Sequence, residues 1–123
     1  MSTRSLIAVA NPDMTYDTIY CHFDGYVKGG VGEELFKTYK ERWKVENLIS
    51  LGNRRTLGYE ESEDELYNES YKKYHSLVAL RRQLFNMIDY IYLFNLNDEW
   101  EVISDCFDGS DKIQTRKLVD MFL

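Results

Sequence analysis

The chain has 123 residues, of which 44% are hydrophobic, 15% aromatic and 29% charged. These values exclude a disordered or low-complexity chain, and we expect a single domain over residues 1–123. The formal net charge is −6. It disfavours direct binding to nucleic acid, because domains that cover phosphates are normally basic.

Two β-hairpins are predicted, at about residues 5–23 and 89–104. In the first, the apolar run LIAVA precedes a turn at NPDMT and the alternating segment YDTIYCHF. In the second, the aromatic and β-branched segment DYIYLFN precedes LNDE and the alternating WEVIS. Short apolar runs separated by a few turn residues are typical of antiparallel hairpins.

Helical periodicity follows the first hairpin. One helix is predicted to begin near Gly32 or Glu33, where acidic residues suit the first turn. A second helix is predicted from about Trp43 to Leu51. Gly52 is placed to end it as a left-handed cap.

The middle of the chain is acidic and helical in pattern. Ser62 and Glu65 have capping-box spacing, and leucines at helical spacing follow, so one or two helices are expected over 59–88. A short final helix is expected after Asp108 or Ser110. The element order predicts an α+β fold, in which an antiparallel sheet built from the two hairpins has helices packed on one face.

The segment IYCHFDGY at the end of the first hairpin contains the residue types of a reaction centre. Tyr20, His22 and Asp24 share one side of an extended chain, and a histidine beside a carboxylate is suited to general-base chemistry. Because no nucleophile motif accompanies them, we interpret the segment as a chain reversal in which Gly25 supplies a positive φ. We therefore predict no catalytic residue and no enzyme. An enzyme that uses His22 and Asp24 is the weaker alternative.

The two cysteines, Cys21 and Cys106, are far apart in sequence and form no CxxC pair. We expect two free thiols in an intracellular protein. A metal site would need them to meet His22 and His75, and the close ligand pairs of zinc sites are missing from the sequence. We predict no metal and no cofactor. No signal-peptide pattern or membrane-length apolar run is present in the sequence, so no membrane association is expected.

Basic and aromatic residues are candidates for a small-ligand pocket. Such a pocket would hold a nucleotide messenger by charge and stacking, and the protein would act as a ligand-binding protein or sponge. The candidate pocket residues are Arg4, Tyr20, His22, Arg54 and Arg55.

The acidic middle region is the main candidate for binding a partner. Regularly spaced carboxylates imitate a phosphate backbone, and tyrosines add contact area at low entropic cost. The predicted contact residues are Glu60, Glu61, Glu63, Asp64, Glu65, Tyr67, Glu69, Tyr71 and Tyr74. The expected partner is a protein with a basic surface, such as one that handles nucleic acid. If the chain self-associates, a homodimer is the default assembly.

The N-terminal third resembles a widespread group of small proteins encoded by bacteriophages and prophages. That group reads Thr-Arg-Ser, an apolar strand, Tyr-Cys-His-Trp-Asp-Gly-Tyr and a Val-Gly helix start. This chain has STRSLIAVAN, IYCHFDGY, VGEELFKTY and VENLISLG, with Phe23 in place of the tryptophan and VKGG in place of a shorter loop. The resemblance covers about residues 2–52 and, more weakly, the late hairpin segment YIYLFNLNDEWEVIS. It implies phage origin and expression in the bacterial host cytoplasm, and it supplies no activity.

Small acidic phage proteins without enzymatic motifs are often inhibitors of host machinery, including anti-CRISPR proteins. This analogy concerns size, charge and origin. On that basis we expect a non-enzymatic protein that binds and inhibits a host protein, such as an anti-defence inhibitor that uses its acidic surface.

Overall fold

The computed structural model describes residues 3–57 and 70–123. Within these ranges the chain forms a six-stranded mixed sheet in the order β3-β2-β1-β4-β5-β6. The strands are β1 Ser5–Ala10, β2 Tyr16–Cys21, β3 Lys72–Tyr74, β4 Tyr90–Phe94, β5 Trp100–Ser104 and β6 Gln114–Lys117. The helices are α1 Val31–Thr38, α2 Arg42–Ser50, α3 Leu77–Arg81 and two 3-10 helices, Arg82–Phe85 and Leu118–Phe122.

Both predicted hairpins are confirmed. β1 pairs antiparallel with β2, with Ile7 opposite Ile19, and β4 pairs antiparallel with β5, with Tyr92 opposite Val102. In the second turn, Asp98 has a φ of 59°, a conformation that aspartate tolerates better than most residues.

The sheet is mixed, so the prediction of a purely antiparallel sheet is wrong. β1 and β4 lie side by side and run parallel, with Ile7 opposite Tyr92, which joins the two hairpins. All six residues of β1 are buried. A continuous apolar run such as LIAVA is typical of a strand covered on both faces, and this feature of the sequence favours a central position over an edge.

Helical segments lie on both faces of the sheet, contrary to the expectation of one. Leu35 of α1 and Leu48 of α2 belong to the same core cluster as Ile7. Leu80 of α3 belongs to a second cluster, which contains Ala8. Because neighbouring residues of a strand point to opposite faces, the two clusters lie on opposite sides of β1.

The first two helices agree with the sequence prediction. α1 begins at Val31, one residue before the predicted start, and α2 covers nearly the predicted range. Gly52 follows α2 with a φ of 86°, as expected of a left-handed cap.

The later helical predictions need correction. Residues 58–69, with the proposed capping pair Ser62 and Glu65, lie outside the described ranges. Beyond them the chain forms β3 before α3, so no continuous helix extends over residues 70–88. The final helix predicted after Asp108 or Ser110 is instead β6, followed by the 3-10 helix Leu118–Phe122. Pairing with β5 outweighs the weak local preference of the segment QTRK.

The chain reversal after β2 depends on close backbone packing. The positive φ, 57°, lies on Asp24 and not on Gly25 as predicted. A Cβ atom on Gly25 would lie 2.8 Å from the carbonyl oxygen of Thr3. One on Gly30 would lie 2.3 Å from the carbonyl oxygen of Asp24. These glycines are needed because a side chain would displace neighbouring backbone.

Replacing Gly30 with alanine should therefore destabilise the fold. We expect Gly30→Ala to lower the free energy of unfolding by about 3 kcal/mol, because the obstructing atoms belong to the backbone. Gly109→Ala is the matched control. Its Cβ would meet nothing within 4 Å in the described structure, and only its φ of 77° opposes the change, at a cost of about 1–2 kcal/mol. Urea unfolding measures both, and equal losses would contradict the packing argument.

Candidate functional site

A cleft of about 360 Å³ lies between one face of the sheet and the segment that follows α3. It is located where β3 begins. Lys72, the first residue of β3, pairs with Thr18 of β2. Tyr20 lies two residues after Thr18 on β2. There the backbone N–H bonds to a side chain instead of to β3, because Asn53 Oδ1 accepts its hydrogen bond at 2.9 Å. The cleft lies beside this change of pairing partner along β2.

The described residues that line the cleft carry positive charge, although the chain is acidic. In the whole sequence Asp and Glu outnumber Lys and Arg by 21 to 15. Among the described residues, however, no carboxylate lines the cleft, whereas Arg4 and Lys72 both do. Neither cation forms an ion pair within the described ranges. Their charges therefore favour an anion.

The Arg4 backbone is firmly held while its guanidinium lacks an oxygen acceptor among the described residues. The backbone N–H donates to Asp89 Oδ2 at 3.1 Å, and the carbonyl accepts from the Asp89 N–H at 2.9 Å. Among the residues that the structure describes, Nε is buried without a hydrogen-bond partner, and Nη1 meets only the Met87 sulfur at 3.9 Å. A partly buried guanidinium gains most from a charged oxygen acceptor. An anion in the cleft would supply one.

Two tyrosines give the cleft its aromatic walls. The Tyr20 carbonyl accepts from the Arg54 N–H at 2.8 Å, and its hydroxyl lies 2.6 Å from His22 Nδ1. Contacts at the backbone and the hydroxyl fix this ring in place. On the other side, Lys72 Nζ lies 5.2 Å from the centre of the Tyr74 ring. Burial raises the pKa of the Tyr74 hydroxyl, which therefore stays protonated at neutral pH.

Amide and apolar side chains complete the cleft. Leu6 and Ile88, which belong to the core cluster on this face of the sheet, contribute apolar surface. Gln83 and Asn86 stand on the opposite wall, and Asn86 Nδ2 donates to Gln83 Oε1 at 3.1 Å. Apolar surface with a few polar groups is the usual composition of a small-molecule site.

The structure brings three of the five predicted pocket residues together. Arg4 and Tyr20 line the cleft, and His22 holds the Tyr20 hydroxyl. Sequence reasoning missed Lys72 and Asn53. Their position depends on the short strand β3 and on the pairing of residues 53–55 with β2, and neither has a sequence signal.

The other two predicted pocket residues lie elsewhere. Arg54 is only 1% exposed, and its Nε donates to the Thr56 carbonyl at 2.6 Å. Its backbone forms a parallel bridge with Cys21, so it is part of the structural core and does not line the cleft. Arg55 is exposed outside the cleft.

His22 and Asp24 do not contact each other. His22 bonds to Tyr20, whereas Asp24 accepts a hydrogen bond from the Tyr26 hydroxyl at 3.0 Å. Asp24 therefore does not orient the imidazole in the manner of a catalytic carboxylate. The absence of enzymatic activity stays a prediction.

The two cysteines are both free, and they differ in environment. Cys21 is fully buried and Cys106 is exposed. Burial raises the pKa of the Cys21 thiol to about 12. The pKa of the Cys106 thiol is also raised, and partial burial is the largest cause. Within residues 3–57 and 70–123, no group of three or more His, Cys, Asp or Glu side chains is arranged to hold a metal ion.

Most of the predicted partner-binding residues lie in the segment 58–69, outside the described ranges. Those outside the described ranges are Glu60, Glu61, Glu63, Asp64, Glu65, Tyr67 and Glu69. Tyr71 is exposed, and Tyr74 is half-buried in the wall of the cleft. Their role in partner binding stays a prediction.

Comparison with protein-family models, with curated proteins and with solved structures finds no match to this chain. The resemblance to phage proteins therefore stays a prediction. In the part of the chain that the structure describes, no helix is long and apolar enough to cross a bilayer.

The two thiols should differ in reactivity. We expect Cys106 to react with Ellman's reagent in the native protein, whereas Cys21 should react only after unfolding, because it is buried and its pKa lies far above neutral. Absorbance at neutral pH, with and without denaturant, counts the reactive thiols. The variant Cys106→Ser should show no fast reaction. A fast reaction in that variant would contradict the buried position of Cys21.

Proposed function

We propose that the protein binds a small anionic ligand in the cleft and acts by sequestering it rather than by converting it. The observation that carries this proposal is the Arg4 guanidinium, which lines the cleft without an oxygen acceptor from any described residue. Most surface arginines reach water or pair with carboxylates. Here the buried Nε–H of Arg4 has no described acceptor and Nη1 contacts only a weak one, the Met87 sulfur. An anion in the cleft would accept hydrogen bonds from this guanidinium.

The size and walls of the cleft narrow the choice of ligand. A volume of about 360 Å³ falls within the range of small-molecule sites. Tyr20 and Tyr74 offer ring surface, and Asn53 and Gln83 offer polar edges. Aromatic rings stack on nucleobases, and cations bind phosphates. A nucleotide combines both features and is the ligand class that we propose.

Binding can be tested with purified protein and a defined panel. We expect at least one of the ribonucleoside monophosphates to bind in isothermal titration calorimetry and to raise the melting temperature. Arg4→Gln should weaken that binding about tenfold or more, because a hydrogen bond between charged groups is lost.

Arg82→Gln is the matched control, because Arg82 is an exposed arginine of the same protein that does not line the cleft. It should bind as the wild type does. If no member of the panel binds at millimolar concentration, or if both variants lose affinity equally, the proposed site is wrong.

We propose inhibition of a host protein as a second candidate function. The observation that favours it is a concentration of exposed apolar side chains between Leu77 and Met87, beside the cleft. Val78 is 60% exposed and Phe85 73% exposed. Exposed apolar groups near one another are typical of protein-binding surfaces. An anti-defence role, including anti-CRISPR activity, belongs to this second proposal.

A protein that binds this surface should bind more weakly when the exposed apolar side chains of the surface are replaced by polar ones. We expect a protein captured from infected bacterial lysate to bind the wild type, and to bind the double variant Val78→Ser, Phe85→Ser at least tenfold more weakly. Met14 and Leu96 are the controls, being 62% and 50% exposed in other turns.

The captured protein, once purified, should bind Met14→Ser and Leu96→Ser with wild-type affinity. Equal binding to all variants in surface plasmon resonance would exclude this surface as the interface.

A further inference from the structure

Arg4, just before β1, and Lys72, at the start of β3, approach the cleft from different parts of the sheet. Lys72 pairs with Thr18 on β2, and Thr18 pairs with Ala8 on β1. Arg4 lies four residues before Ala8 along the same chain direction. Lys72 is therefore two strand spacings across the sheet from Ala8, and Arg4 is four residues along the chain from Ala8. These two perpendicular displacements place the Cα atoms of Arg4 and Lys72 about 16 Å apart. The residue between them on β2 is Tyr20.

The two cations also point in different directions. Lys72 Nζ lies over the ring of Tyr74, which is the residue further from Arg4 along β3. The Arg4 guanidinium lies against Met87, close to the start of β4. Each cation therefore faces its own end of the cleft, and Tyr20 separates the two ends.

Neither cation is neutralised by the described protein. No oxygen accepts from the Arg4 guanidinium, and Lys72 makes a ring contact but no ion pair among the described residues. The neighbouring Lys73, by contrast, pairs with Asp17 at 3.2 Å. Two separate unpaired cations, with no carboxylate lining the space between them in the described structure, fit two separate anionic groups better than one.

We infer that the ligand carries two anionic groups on either side of a planar or apolar middle part, one bound by Arg4 and the other by Lys72. This inference rests on the proposed ligand-binding function. The middle part would lie along Tyr20 and Leu6, where the cleft is aromatic and apolar. A nucleotide with phosphates on both sides of its sugar has this arrangement.

The inference is tested with three probes that differ only in their phosphates. They are adenosine 3′,5′-bisphosphate, adenosine 5′-monophosphate and adenosine 3′-monophosphate. We expect the bisphosphate to bind at least tenfold more tightly than either monophosphate in calorimetry at fixed ionic strength. Arg4→Gln and Lys72→Gln should each remove most of that advantage.

The monophosphates assign each phosphate to its cation. Each monophosphate should lose affinity in only one of the two variants. Lys73→Gln is the control, because its side chain pairs with Asp17 and does not line the cleft. It should bind the bisphosphate as the wild type does.

The outcomes separate the two proposals. If the bisphosphate binds no more tightly than the monophosphates while Arg4→Gln still weakens all three, the two-anion inference is overturned and the ligand-binding proposal stands. If Lys72→Gln and Lys73→Gln behave alike, the assignment of Lys72 is overturned. If none of the probes, nor any ribonucleoside monophosphate, binds the wild type, both proposals are overturned.

Discussion

The cleft depends on the parallel register between β1 and β4. Ser5 lies opposite Tyr90, and just before this pair the backbone of Arg4 exchanges hydrogen bonds with Asp89. These bonds fix the point at which the Arg4 side chain leaves the sheet. They also place Met87, whose φ is 66°, against the guanidinium. A shift of one residue would turn Arg4 to the opposite face of the sheet, and the cleft would lose its cation.

Packing on the face of the sheet that contacts α3 explains why the cleft lies beside the start of β1. Small side chains at Ala8 and Ala10 belong to the same core cluster as Leu80 and Leu84, so the helical segment packs closely over this part of β1. The helical structure ends at Phe85, and Asn86, Met87 and Ile88 follow. Over the start of β1, Leu6 and Ile88 stay in the core cluster, and the cleft opens beside them with Arg4, Gln83 and Asn86 in its lining.

The sequence predicted those parts of the fold whose signals are local. The two hairpins, α1, α2 and the cap at Gly52 follow from alternation, helical spacing and glycine conformation. β3 and β6 were not predicted, because KKY and QTRK have no strand pattern of their own. They form by pairing with β2 and β5, and their cationic residues are typical of edge strands. The parallel pairing of β1 with β4 joins segments about 80 residues apart, which local patterns do not reveal.

The candidate site shows the same difference between residues with a local sequence signal and residues that are positioned by long-range pairing. Arg4 and Tyr20 were among the predicted pocket residues because a charge and a ring are visible in the sequence. Tyr20 lies on the second strand of the first hairpin, as predicted. Arg54 was misplaced because its burial follows from a backbone bridge to Cys21 that has no sequence signature. Lys72 was missed because its place in the cleft requires β3.

The overall negative charge does not argue against an anionic ligand. Screening in physiological salt limits the effect of exposed charges beyond about 8 Å. The groups that line the cleft therefore decide the sign of the potential there, and those described are two cations without carboxylates. The described acidic residues, none of which lines the cleft, influence the rate of encounter more than the affinity.

The most direct measurement is nitrogen-15 NMR of the arginine side chains during titration with inorganic pyrophosphate. It observes the guanidinium that would bind the anion. The Nε–H signal of Arg4, assigned by its loss in Arg4→Lys, should shift in a saturable way, while that of the exposed Arg82 should stay in place. If the Arg4 signal stays unchanged at saturation, or if all arginines shift together in proportion to ionic strength, the cleft does not bind anions through Arg4.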